Sequence, residues 1–135
     1  MKLNPYLVFS GNAEAAIKHY VDALNLQHTE IKRYKDSPMK HKPNQSNWVI
    51  HCELIYNGQT LAMICDAPNE GSSNQIQLSL NFDTLRPMEI AFEKMSAGGT
   101  VINPLKKQFW NATFGQFVDK FGIHWMMNCD HEKQA

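Results

Sequence analysis

Apolar and polar positions alternate from the start of the chain. Leu3, Pro5, Leu7 and Phe9 fall on one side of an extended segment, and Asn4, Tyr6, Val8 and Ser10 on the other. Both sets contain large apolar groups, which predicts a strand buried on both faces. Gly11-Asn12 breaks the alternation, and Asn12 is the predicted N-cap of a helix. Ala13, Ala16, Ile17, Tyr20 and Leu24 then recur on one helical face, with Glu14 and Lys18 spaced for an ion pair on the opposite one. Asn25 is suited to stop this helix in the left-handed conformation. Residues 29–35 read as a weaker strand. Residues 36–46 are a polar loop containing Pro38, Pro43 and Lys40-His41-Lys42, long enough to predict mobility or function. Strands at 47–56 and 60–66 flank Asn57-Gly58, a strong hairpin signal. Residues 67–74 read as a linker.

The order then restarts. Strict alternation over 75–82 puts Ile76, Leu78, Leu80 and Phe82 on one face, and Gln75, Gln77, Ser79 and Asn81 on the other. Asp83 or Thr84 caps a second helix, whose apolar face is Leu85, Met88, Phe92 and Met95. Pro87 falls in its first turn, where a missing N–H is harmless. Gly98-Gly99 ends it, and strands follow at 100–105, 113–119 and 123–129. Each half reads strand, helix, strand, strand, strand. The pattern predicts an α+β fold of two modules, about 1–68 and 75–129, within one domain spanning 1–135.

Totals narrow the function classes. A chain of 135 residues with 43% hydrophobic and 10% aromatic content has the material for a real core. Thirteen basic and thirteen acidic side chains cancel, so the surplus that neutralises nucleic-acid phosphates is missing. No apolar run approaches the ~20 residues that span a bilayer. The first ten residues lack the apolar block of a secretory signal, and the expected location is the cytoplasm. Cys52, Cys65 and Cys129 form no C-x-x-C and are expected as buried free thiols in a reducing compartment.

Specific motifs carry a resemblance. Pro5-Tyr6-Leu7-x-Phe9-x-Gly11-Asn12-Ala13-Glu14-x-Ala16 followed by Tyr20, then His51-x-Glu53-Leu54 and Leu78-Ser79-Leu80-Asn81, are similar to PhnB-like proteins of the vicinal oxygen chelate superfamily. The run Phe109-Trp110-x-Ala112-x-Phe114-Gly115-x-x-x-Asp119-x-Phe121-Gly122-x-x-Trp125 is the longest such motif. The resemblance implies two βαβββ modules forming a curled mixed sheet, the glyoxalase/bleomycin resistance/dioxygenase fold, within a homodimer that encloses a small-molecule ligand. It also implies where a metal would sit in metal-dependent relatives, with one ligand from the first and one from the last strand of each module. Counted from the helix starts and the final turn, those positions are Pro5, Gln77, Met126 and the vicinity of Ile64, with Asp66 the nearest carboxylate. Pro and Ile cannot ligate, Met is soft and Gln is weak, so no metal is expected. No cofactor is expected either. PhnB-like sequences are sometimes labelled methyltransferases, but no glycine-rich strand-to-helix turn is present to receive a nucleotide cofactor.

His51 and Glu53 lie two apart on one strand and so share a face. Two readings stay open for them: a satisfied polar pair, or an imidazole oriented by a carboxylate for acid–base work. The stripe Gln75, Gln77, Ser79 and Asn81 is either solvated or a neutral hydrogen-bonding wall. Trp110 is read as a pocket wall and Trp125 as core. His124 shares a face with Met126. The candidate ligand set is Phe9, His51, Glu53, Gln77, Trp110 and Met126, with His51 and Glu53 the catalytic candidates if the chain is an enzyme of glyoxalase type. No nucleophile motif occurs.

Overall fold

Burial alternates along the first strand, β1 (Tyr6–Phe9): Leu7 and Phe9 are buried, Tyr6 and Val8 exposed. The expected burial on both faces is therefore corrected. One face of the sheet is covered by α1 (Ala13–Leu24), and the other is not covered by a helix of this unit. The computed structural model describes residues 1–68 and 75–131, in two compact units, Met1–Glu70 and Gly71–Ala135. The predicted linker lies mostly outside the described residues.

In unit 1, α1 is followed by β2 (Gln27–His28), β3 (Lys32–Arg33), β4 (Val49–Tyr56) and β5 (Gln59–Asp66). The sheet order is β1-β5-β4-β2, with β3 also on β4, and β1 runs parallel to β5. Helix α1 packs on β4 and β5 through Ala16, Ile17 and Tyr20, against buried Cys52, Leu54, Ala62 and Ile64. Each large apolar side chain buried this way contributes about 1.5–3 kcal/mol. Asn57 (φ 50°) and Gly58 (φ 75°) make the two-residue turn between β4 and β5. Asn25, at φ 54° and ψ 53°, ends α1 as predicted.

Two local expectations are revised. Asn12 makes no side-chain cap. The carboxylate of Asp66, at the end of β5, accepts from the Gly11 and Ala13 N–H groups instead (2.8 and 3.0 Å). Glu14 pairs with Arg33 at 2.7 Å, because a bidentate guanidinium from β3 outcompetes the flexible Lys18. The polar loop is tied down at its base. Tyr34 N–H bonds Trp48 C=O and Lys35 N–H bonds Ser46 C=O, both at 3.0 Å, while the Tyr34 hydroxyl donates to the Asp66 C=O at 2.9 Å.

Unit 2 comprises β6 (Leu78–Asn81), α2 (Leu85–Ser96), β7 (Thr100–Lys107), β8 (Ala112–Val118) and β9 (His124–Asp130). Its sheet order is β6-β9-β8-β7, with β6 parallel to β9. Met88, Ala91, Phe92 and Met95 of α2 are buried on the sheet. Phe92 meets Phe117 edge-on at 5.1 Å, and Trp125, Met127 and Cys129 complete this core. Leu85, predicted on the apolar face of α2, is exposed at its start. Each unit thus forms a separate mixed sheet with one helix on one face.

Candidate functional site

On unit 1, β-strand parity fixes which side chains occupy the face opposite α1. Cys52 and Leu54 are fully buried under the helix, so His51 and Glu53, half-buried, point the other way. Tyr6 pairs in register with Met63, and Met63 with Glu53, which brings three strands together on that face. The Tyr6 hydroxyl lies 2.9 Å from His51 Nδ1, and His51 Nε2 lies 3.6 Å from Glu53 Oε2. Thr60 donates to Glu53 Oε1 at 2.9 Å. A line of polar groups, Tyr6–His51–Glu53–Thr60, therefore runs across the helix-free face of the sheet.

Desolvation, reinforced by the neighbouring Cys65, Tyr34 and Glu53, pushes the Tyr6 phenol up to about 12. Tyr6 is thus a neutral donor at physiological pH. When it donates to Nδ1, the imidazole carries its proton on Nε2, facing Glu53. Burial also raises the Cys65 thiol, opposed by a hydrogen bond to Tyr6, so this half-buried cysteine stays protonated. Cys52 and Cys129, both buried, are raised for the same reason.

The same parity corrects two predicted positions and one predicted wall. Phe9 is only 4% exposed and pairs with Asp66 on the α1 side, so it is core rather than part of the His51–Glu53 face. Ile64 is fully buried on that side too. The side chains of β1 and β5 on the helix-free face include Tyr6, Val8, Thr60, Met63 and Cys65, and Pro5 and Ile64 are not among them. Asp66 is also unavailable as a ligand: its second oxygen accepts from the Val49 N–H at 3.0 Å, so its carboxylate holds three backbone donors.

On unit 2, the helix-free face carries Gln77, His124, Met126 and Asn128, beside Phe114 and Gln116 of β8. Gln116 takes a bond from Asn103 Nδ2 on β7 (2.6 Å) and gives one to Gln77 Oε1 (3.1 Å). Three neutral amides thus span the sheet, with Met126 opposite Gln116 in the register. Among the described residues, His124 Nδ1 is buried with no hydrogen-bond partner. Trp110 stands on the turn between β7 and β8, 45% exposed, with its indole N–H 3.4 Å from Asn128 Oδ1. Trp125, read as core, is buried and donates to Asp119 Oδ2 at 2.9 Å.

The sequence reading missed Tyr6, Thr60, Cys65, Asn103 and Gln116. Tyr6 sits among apolar neighbours of both parities, so alternation alone did not assign it a face. Gln116 and Asn103 meet only through strand pairing. Among the described residues, no three His, Cys, Asp or Glu side chains come together to hold a metal ion.

Residues 1–128 match the family described as 3-demethylubiquinone-9 3-methyltransferase. Protein PA1353 from Pseudomonas aeruginosa is 30% identical, with a TM-score of 0.87 over 98% of this chain and 99% of that one. A PhnB protein from Bacillus cereus is 26% identical, with a TM-score of 0.80 over 96% and 99%. A glyoxylase/bleomycin resistance protein/dioxygenase domain from Frankia sp. EAN1pec has a TM-score of 0.68 over 99% and 95% at 10% identity, a likeness of fold alone.

Proposed function

The chain belongs to the 3-demethylubiquinone-9 3-methyltransferase family, in its PhnB-like form and with the glyoxalase/bleomycin resistance/dioxygenase fold, and from that premise we propose that it is a cytoplasmic, homodimeric small-molecule-binding protein that works without the superfamily metal. The observation that carries this reading is the Tyr6–His51–Glu53 line on a sheet face that the core does not use. Partly exposed polar groups that could have been solvated are instead aligned within reach of one another, as in sites that orient a ligand. The proposed ligand-facing groups are His51 and Glu53, with Tyr6 added and Phe9 removed, on unit 1, and separately Gln77, Trp110 and Met126 on unit 2.

Methyl transfer from a nucleotide cofactor gains no support from the residues. Neither strand-to-helix turn is glycine-rich, and Asp66 already takes two N–H groups at the start of α1, where a phosphate would dock. The donor chemistry at the superfamily metal positions is equally poor. Pro5 offers no side-chain donor, Ile64 is buried, Met126 is a thioether, and Gln77 Oε1 is engaged by Gln116.

Native mass spectrometry of protein purified without added metal tests the reading. The expected spectrum is a dimer with a retained small-molecule adduct and well under one divalent ion per chain. Stoichiometric zinc, nickel or iron surviving dialysis would overturn the metal-free assignment. A bare chain that takes up nothing from a metabolite extract would overturn the binding function.

A second reading, an isomerase or lyase of the same fold, is favoured by one feature: His51 stands between a phenol and a carboxylate, an arrangement that fixes its tautomer for proton transfer. On that reading His51→Gln lowers turnover of an extract-derived substrate about 100-fold while the adduct is still retained. Equal turnover in the variant would leave binding alone.

A further inference from the structure

An open groove of about 410 Å³ lies wholly within unit 2, lined by Asn103, Pro104, Lys106, Gln108, Trp110 and Phe114. Its aromatic wall is built rather than incidental. The turn that presents Trp110 is closed by Gln108 N–H to Ala112 C=O (2.7 Å) and Asn111 N–H to Gln108 C=O (3.2 Å), with Asn111 left-handed at φ 61°. His131 N–H anchors it again on the Asn111 C=O at 2.9 Å. The indole is held from three directions: its N–H on Asn128, the Phe109 ring edge-on at 4.9 Å, and the Phe114 ring edge-on at 5.8 Å. Two edge-on neighbours and a hydrogen bond fix the ring plane, so a second planar system that stacks on it loses little further order.

The groove also has a sign. Lys106 pairs in register with Phe114 and so projects on the same face of the sheet. It makes no ion pair among the described residues, and no carboxylate lines the groove. The remaining polar lining, Asn103 and Gln108, is neutral. A fixed aromatic wall beside an ammonium that makes no ion pair among the described residues complements a flat apolar body carrying a negative charge.

We infer that unit 2 binds a planar aromatic or conjugated anion, with its ring against Trp110 and Phe114 and its carboxylate or phenolate at Lys106. This rests on the small-molecule reading above and names the ligand class for the unit 2 groove. The aromatic wall supplies affinity without regard to charge, and Lys106 supplies the choice of the anion over its neutral analogue.

The test uses 2-naphthoate and its uncharged counterpart 2-naphthamide, titrated into the full chain by calorimetry and tryptophan fluorescence. Wild type is expected to bind the carboxylate at least tenfold more tightly than the amide. Lys106→Gln, at an exposed position, brings the carboxylate down to the amide's level and leaves the amide unchanged. Trp110→Leu weakens both about tenfold, with a thermal melt confirming that the variant is folded. Lys18→Gln, on the exposed face of α1 in unit 1, changes neither. Equal binding of the two probes by wild type overturns the inference, as does undiminished binding of the carboxylate by Lys106→Gln. Failure of both probes while native mass spectrometry still finds a retained adduct overturns the ligand class and leaves the small-molecule reading standing. Failure of both with no adduct removes the two together.

Discussion

Two side chains in unit 1 illustrate how differently polar groups on one sheet are used. Asp66 is 1% exposed, and its carboxylate receives the N–H groups of Gly11, Ala13 and Val49. Removing it strands the buried Ala13 and Val49 donors and the part-buried Gly11 donor, which costs about 3 kcal/mol. Urea unfolding of Asp66→Ala should show that loss, and Asp66→Asn, which keeps one acceptor oxygen, roughly half of it. A change below 1 kcal/mol in the alanine variant would contradict the assignment. Tyr6 is held by its protonation state instead. Its phenol, ordinarily near 10, is pushed up to about 12, chiefly by desolvation. The folded state therefore keeps a proton that the unfolded chain releases. The stability Tyr6 contributes is whole below pH 10 and falls as the pH rises from 10 toward 12. A wild-type minus Tyr6→Phe difference spectrum at pH 10.5 should lack tyrosinate absorbance near 295 nm. A full tyrosinate signal there would show that the phenol is not shielded.

At the scale of elements, close approach and parity do most of the positioning. Helix α2 gives way to β7 through Gly98-Gly99. Gly98 is left-handed at φ 77°, while Gly99 lies so close to β8 that an added Cβ would land against the Val118 carbonyl and the Asp119 backbone. Backbone cannot yield there as a flexible side chain would. Gly99→Ala should therefore cost about 3 kcal/mol and lower the melting temperature by roughly 10 °C, measurable by calorimetry. Gly58, with open space where its Cβ would be, is constrained by its φ of 75° alone. Parity explains the site: one residue of shift on β4 would bury His51 and Glu53 beneath α1 and expose Cys52 and Leu54.

At the scale of the whole molecule, each unit has an open sheet. In unit 2 the edge strand β7 is exposed along most of its length and presents Val101 and Ile102 to solvent. Unpaired edges with apolar side chains favour association. Light scattering at micromolar concentration should give twice the 15.5 kDa chain mass. A monomer at every accessible concentration would refute the homodimer. Among the described residues, no helix is long and apolar enough to cross a membrane.

The sequence by itself determined the element order, except that two short strands, β2 and β3, stand in place of the one strand predicted at 29–35, together with the hairpin at Asn57-Gly58, the helix stop at Asn25 and the pairing of His51 with Glu53 on one face. These follow from periodicity and from residues whose backbone preferences are local. The family was legible in the same way, because its longest motif, from Phe109 to Trp125, is contiguous in the chain. What only the tertiary structure decided are the choices among partners distant in sequence. Asp66 rather than Asn12 serves the start of α1, Arg33 rather than Lys18 takes Glu14, and Tyr6 rather than Phe9 joins His51. Each turns on strand register, which sets whether residues some twenty to fifty positions apart meet, and no local pattern encodes it where both faces of a strand carry large apolar groups.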